Sequence, residues 1–228
     1  MAEMKVFTRL AGKFIVLDGL DGSGKSTQLD LLEQSIGQAG GKAVRVREPG
    51  GTVIGEHIRE VLLSSKGEGM DIRAEMLLYM ASRAQLVQQR IKPALAAGQT
   101  VLSDRFLSST LAYQGSAGGL PLDAILEVGK VALDGVWPDL TIILDLPVED
   151  AMGRLQSPGK GKKSGGLQAG LFQDRIERRM VDYHQRVREG FVAQAQRFPH
   201  CYRVISALDS KAKIQANIVA TLAEFISA

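Results

Sequence analysis

The chain has 228 residues, 45% hydrophobic and 23% charged, with a net charge of +3. That is enough apolar material for a sizeable core in one domain spanning residues 1–228, and the mild basicity fits polyphosphate ligands as well as it fits nucleic acid. The single cysteine, Cys201, excludes an internal disulfide and any Cys-x-x-Cys centre, while the apolar run that stops at Asp18 is too short for a signal peptide or membrane span, so a cytoplasmic protein is expected.

Residues 1–13 carry no motif and read as a partly ordered tail. Residues 14–18 predict a strand, and 24–38, with apolar residues at helical spacing, predict a helix. Between them Gly19-Leu20-Asp21-Gly22-Ser23-Gly24-Lys25-Ser26-Thr27 fits the ATP-phosphate pattern G-x-x-x-x-G-K-[ST] in its setting of strand, glycine turn and helix. Glycines let successive N–H groups point at phosphate oxygens, and the helix start adds positive potential. Lys25 is placed to reach the transferred phosphate, and Ser26 to ligate magnesium.

Gly40-Gly41 closes the helix and 43–46 predicts a second strand. Arg47-Glu48-Pro49-Gly50-Gly51-Thr52 is then either a plain turn or a rigid one at the strand edge where open parallel sheets bind ligands. Residues 54–63 predict a short helix with Ile54, Ile58, Val61 and Leu62 as its apolar side and Glu56, Arg59 and Glu60 exposed; Arg59 is either solvated or turned to a ligand. A long helix is predicted over 72–95, bent or closed near Pro93. On it Tyr79 and Arg83, four apart, share a face. They are a core tyrosine and a surface arginine, or a flat aromatic beside a forked donor suited to a nucleobase.

Residues 101–104 predict a third strand ending in Asp104, a second metal candidate at the position from which P-loop proteins hold magnesium through a neighbouring strand. Arg105 follows at the same edge, and 108–115 continues as a short helix rich in hydroxyls. Residues 121–133 predict an amphipathic helix whose apolar face is core or dimer contact, and 140–144 a buried strand, after which Pro147 opens another helix. The pattern breaks over 156–170, where residues 157–166 hold four glycines and three lysines. This is a floppy loop or, between Arg154 and Asp174-Arg175, a mobile cationic lid over about 156–172. The P-loop has no arginine of its own, and phosphoryl transfer needs positive charge on the developing equatorial oxygens. A helix over 176–198, in which His184 reads as structurally partnered, a strand over 202–205 and a helix over 211–227 complete the chain.

Five strands alternating with helices around a P-loop predict an α/β, three-layer P-loop NTPase fold with a parallel sheet flanked by helices. The chain resembles the thymidylate kinase family over about 14–205, most specifically in Arg47-Glu48-Pro49-Gly50-Gly51-Thr52 and in the run Val101-Leu102-Ser103-Asp104-Arg105-Phe106-Leu107-Ser108-Ser109-Thr110-Leu111-Ala112-Tyr113-Gln114. The resemblance implies transfer of the terminal phosphoryl of ATP to dTMP with Mg2+, by a homodimer. It places Tyr79 where an aromatic stacks on thymine, Arg83, Thr110 and Gln114 at base contacts, Tyr113 near the sugar and Asp21 near its 3′-hydroxyl. Arg59 and Arg105 match arginines on the acceptor phosphate, Glu48 and Pro49 of the turn join the dTMP-binding set, and Glu177 matches a carboxylate at the far hinge of the lid.

Some family members place an arginine inside the P-loop, where Gly22 stands here. Arg154 then leads as the lid-side catalytic cation, ahead of Arg175 and of Lys160, Lys162 and Lys163, with Lys25 and Arg105 completing the catalytic set. The nearest alternative is another small P-loop kinase with a different acceptor. A GTPase switch would need an Asn-Lys-x-Asp or Thr-Lys-x-Asp guanine reader, which the chain lacks, and for a nucleic-acid ATPase the lid lysines are the only basic seed. Neither a nucleic-acid nor a membrane partner is expected.

Overall fold

The computed structural model describes residues 2–64, 67–156 and 181–227. The lid expected over about 156–172, with Arg175, Glu177 and the start of the helix expected from 176, lies outside the described residues apart from residue 156. Five strands, β1 (Phe14–Asp18), β2 (Ala43–Arg47), β3 (Thr100–Asp104), β4 (Leu140–Asp145) and β5 (Tyr202–Ser206), form one parallel sheet in the order β2-β3-β1-β4-β5.

All five residues of β1 are buried, as in a parallel strand covered on both faces. Its side chains alternate between two cores. Ile15 and Leu17 join the apolar side chains of α1 (Ala2–Thr8), α2 (Lys25–Gln38) and α10 (Lys211–Ser227), whereas Phe14 and Val16 join those of α4 (Ile72–Leu86), α5 (Lys92–Ala96) and α7 (Leu122–Leu133). The sheet is therefore the middle of three layers. Leu17 lies opposite Asp104 and Arg47 opposite Asp104 in register, so the carboxyl ends of β1, β2 and β3 meet at one edge.

Three elements differ from expectation. Where the sequence reads as a tail, α1 folds onto α10 and α2 with Val6, Phe7 and Leu10 buried. Those three residues have helical spacing, and Thr100 Oγ1 ties the following turn down by donating to the Leu10 carbonyl at 2.8 Å. The helix does not close at Pro93: a π-helical turn, Val87–Ile91, joins α4 to α5, which carries the residue that cannot donate a backbone hydrogen bond in its first turn.

In α3 (Val53–Leu63) Ile54 and Val61 face outward, 53% and 50% exposed, while Gly55 and Leu62 face in. The cause is close packing on the preceding turn, since a Cβ at Gly55 would stand 2.9 Å from the Gly50 carbonyl oxygen. That rotation turns Arg59 inward, where its Nη1 donates to the Pro49 carbonyl at 2.9 Å.

Candidate active site

The glycine loop, residues 19–24, links the end of β1 to α2, whose first turn carries Lys25, Ser26 and Thr27. Gly22 has φ +81°, and a Cβ on it would fall 2.7 Å from the Ala151 carbonyl oxygen, so the loop is pressed against α8 (Val148–Gln156) by a residue with no side chain. Lys25 is almost fully buried, and its Nζ donates to the carbonyls of Gly19 at 3.1 Å and Leu20 at 2.9 Å. Burial, and then the Arg105 charge, draw its ammonium below the usual lysine range. Ser23 is fully buried and its Oγ finds no partner among the described residues, leaving a hydroxyl of the loop with unused hydrogen-bonding capacity.

Ser26 Oγ donates to Asp104 Oδ2 at 2.9 Å, bringing together the two metal candidates from α2 and β3. A hydroxyl and one carboxylate are hard oxygen donors of the kind a magnesium ion shared with phosphates uses. On the other side of the loop, Arg154 of α8 donates from Nη1 to the Gly22 carbonyl at 3.3 Å and from Nη2 to that of Ala207 at 2.8 Å. An arginine within the glycine loop would meet α8; α8 itself carries one to the same place.

Between the loop and the rest of the site stands Arg105, at φ +71° on the turn after β3. Its Nη2 donates to Asp21 Oδ1 at 2.5 Å and its Nη1 to Ser109 Oγ at 2.9 Å, with Asp18 Oδ1 at 3.4 Å. Burial alone would raise the Asp21 carboxyl, but Arg105 and then Lys25 outweigh it and hold the group well below the usual carboxylate range. The Arg105 guanidinium lies over the Tyr113 ring at 5.4 Å, and burial pushes the Tyr113 hydroxyl above its ordinary value.

Asp18 is an additional member of this cluster. Fully buried at the end of β1, it accepts from Ser108 Oγ at 2.6 Å, Ser109 Oγ at 2.8 Å and the Gly19 N–H at 2.8 Å. Its signal in the sequence is a charged residue closing an otherwise apolar strand directly before a glycine loop.

A second group faces the same sheet edge. Glu75, Tyr79 and Arg83 lie at i, i+4 and i+8 along α4, and Thr110 and Gln114 lie one turn apart on α6 (Leu107–Thr110) and the π-helical turn Leu111–Ala117. Hydrogen bonds from Arg83 Nη2 to Thr110 Oγ1 at 3.1 Å and from Gln114 Nε2 to Glu75 Oε1 at 2.7 Å join these rows. Half-buried Tyr79 sits one helical turn from each bond.

Arg83 also grips Glu48, from Nε at 2.9 Å and Nη2 at 2.6 Å, with side-chain exposures of only 1% and 4%. Burial pushes the Glu48 carboxyl up, and the Arg83 charge draws it back. This pair fastens the turn after β2, with Pro49 buried in it, to α4. Glu75 is absent from the sequence-level set of candidates, although its spacing from Tyr79 and Arg83 places it on their face.

A thymidylate kinase family model matches residues 17–218. A thymidylate kinase of Caldanaerobacter subterraneus subsp. tengcongensis is 38% identical over 217 residues, covering 95% of this chain and 98% of that protein. Another, from Pelotomaculum thermopropionicum, is 41% identical over 219 residues and covers 96% of each. The crystal structure of thymidylate kinase from Ehrlichia chaffeensis superposes with a TM-score of 0.71 at 29% identity, over 93% of this chain and 98% of that one.

Proposed function

The chain belongs to the thymidylate kinase family, and we propose that it transfers the γ-phosphoryl of ATP to dTMP, giving dTDP and ADP for dTTP synthesis. The observation that carries this reading is Arg105, fastened at 2.5 Å to the glycine loop through Asp21 and stacked on Tyr113 of the π-helical turn that bears Gln114 and directly follows Thr110. One guanidinium thus joins a triphosphate cradle to a slot built for a base.

In this mechanism the loop N–H groups and Lys25 hold the donor phosphates, while Arg105 and Arg59 orient the acceptor phosphate for in-line attack. The attacking oxygen already belongs to a phosphate, so general-base help contributes little and positioned charge contributes most. Arg154, beside the Gly22 carbonyl, supplies positive charge against the negative charge spread over the equatorial oxygens. Ser26 and Asp104 would hold Mg2+, which when bound neutralises phosphate charge. Tyr79 stacks on thymine, Arg83, Thr110 and Gln114 read its edge, and Tyr113 and Asp21 contact the sugar. Glu48 and Pro49 support the acceptor side, and Arg175 and Glu177 belong to the proposed set on sequence alone.

We assign the protein to the cytoplasm and to a homodimer. No described helix is long and apolar enough to cross a membrane. The outward residues Ile54 and Val61 on α3 lie on the helix packed against α4, where Leu77 is 53% exposed, a ready apolar contact for a second copy.

Coupled ADP release with Mg-ATP tests the function against dTMP, dUMP, dCMP, dGMP, AMP and free thymidine. A dTMP preference of about tenfold or more in kcat/KM is expected. A preferred purine nucleotide or free thymidine overturns the thymine assignment; the absence of any acceptor activity overturns the kinase.

A further inference from the structure

We propose that Glu75 is a positioning residue that makes the base slot favour thymine and uracil over cytosine, by locking the orientation of the Gln114 amide. The inference rests on the dTMP kinase reading above. Glu75 is fully buried and Gln114 is 2% exposed, with Gln114 Nε2 donating to Glu75 Oε1 at 2.7 Å. A glutamine amide can ordinarily turn over, exchanging its donor and acceptor ends at almost no steric cost. A carboxylate forbids that, because it only accepts, and the nitrogen end must face it.

The lock fixes what remains for a ligand. Among the described residues the Gln114 side chain makes that one hydrogen bond, so its Oε1 stays an acceptor and its second N–H a donor. Thymine and uracil present an N3–H donor beside an O4 acceptor, which this amide complements at both atoms. Cytosine presents the reverse, an N3 acceptor beside an amino donor, and opposes the amide twice. An amide free to turn would serve either base. The carboxylate projects from the helix that also carries Tyr79 and Arg83, at i, i+4 and i+8, so the orientation of the amide is registered against the aromatic and the guanidinium.

The test compares wild type with Glu75→Gln, which keeps size but can both donate and accept, in kcat/KM for dTMP, dUMP, dCMP and dGMP. The dTMP/dCMP ratio should fall by about 10- to 100-fold in E75Q. Rejection of dGMP, which depends on size, should change less than about threefold. A residue that only supported the fold would lower every acceptor together and leave the dTMP/dCMP ratio alone. Glu75→Asp, still acceptor-only, should recover part of the ratio.

Gln114→Met should lose the ratio to the same extent whether or not Glu75 is also replaced, because the lock then has nothing to hold; this variant keeps the test open if E75Q does not fold. A folded E75Q with the wild-type ratio, or a Q114M that still rejects dCMP as wild type does, overturns the proposal. A wild type that does not prefer dTMP to dCMP overturns instead the function on which it rests.

Discussion

Asp21 sits between two cations, 3.6 Å from Lys25 and 2.5 Å from Arg105, and ties the glycine loop to the arginine proposed for the acceptor phosphate. Its folded-state acidity is strengthened, so it stabilises the protein above the unfolded carboxylate range, and that contribution is lost as pH falls through the lower folded value. The stability advantage of wild type over Asp21→Asn should therefore be constant above about pH 5 and shrink below about pH 4. Thermal denaturation from pH 3 to 7 checks this. An advantage that instead grew on acidification would contradict the Asp21 and Arg105 pairing. The aspartate itself is plain in the sequence as the third residue of the loop, but its partner lies 84 positions away.

At the scale of elements, the glycine loop and α8 form one unit. The Gly22 contact with Ala151 leaves no room for a side chain at position 22, and Arg154, three residues further along α8, reaches back to the Gly22 carbonyl. If Arg154 is the catalytic cation proposed above, replacing it by Ala should lower kcat by about 100- to 1000-fold and change KM for dTMP less than threefold, the signature of charge used only at the transition state. Arg154→Lys should recover only part, because a point charge replaces a fork. Steady-state kinetics decide it, and an unchanged kcat would move the catalytic cation elsewhere. Arg154 is a candidate in the sequence through the family resemblance, with Gly22 where some members have arginine, and through its place beside the lysine-rich segment; the contact of that glycine with α8 is visible only in the fold.

At the scale of the whole molecule, three helices, α3, α4 and α7, pack in succession, α4 and α7 sharing the core on one face of the sheet, and their outward apolar residues include Ile54, Val61, Leu77 and Val131. Such residues are ordinary singly, but Ile54 and Val61 are seven apart on one face of α3, and α3 packs directly on α4. If the protein is the homodimer proposed above, Ile54→Arg combined with Leu77→Arg should yield a monomer with little change in far-ultraviolet circular dichroism, as read by sedimentation equilibrium. A double variant that remained dimeric would exclude this face.

Sequence alone determined whatever is encoded between near neighbours. The phosphate loop declares itself within nine residues, the strands and most helices through their periodicity, and Tyr79 with Arg83 through a single helical turn. The tertiary structure decided what depends on rotation and approach. It turned α3 so that Ile54 faces out and Arg59 in, recruited α1 into the core, and gave buried Asp18 its donors from Ser108 and Ser109. It also set Gln114 against Glu75, 39 residues away, where a carboxylate that accepts only fixes which end of the amide is left for a ligand. A linear pattern shows which side chains share a face; only packing shows what that face meets, because burial and hydrogen-bond direction arise between elements and not within them.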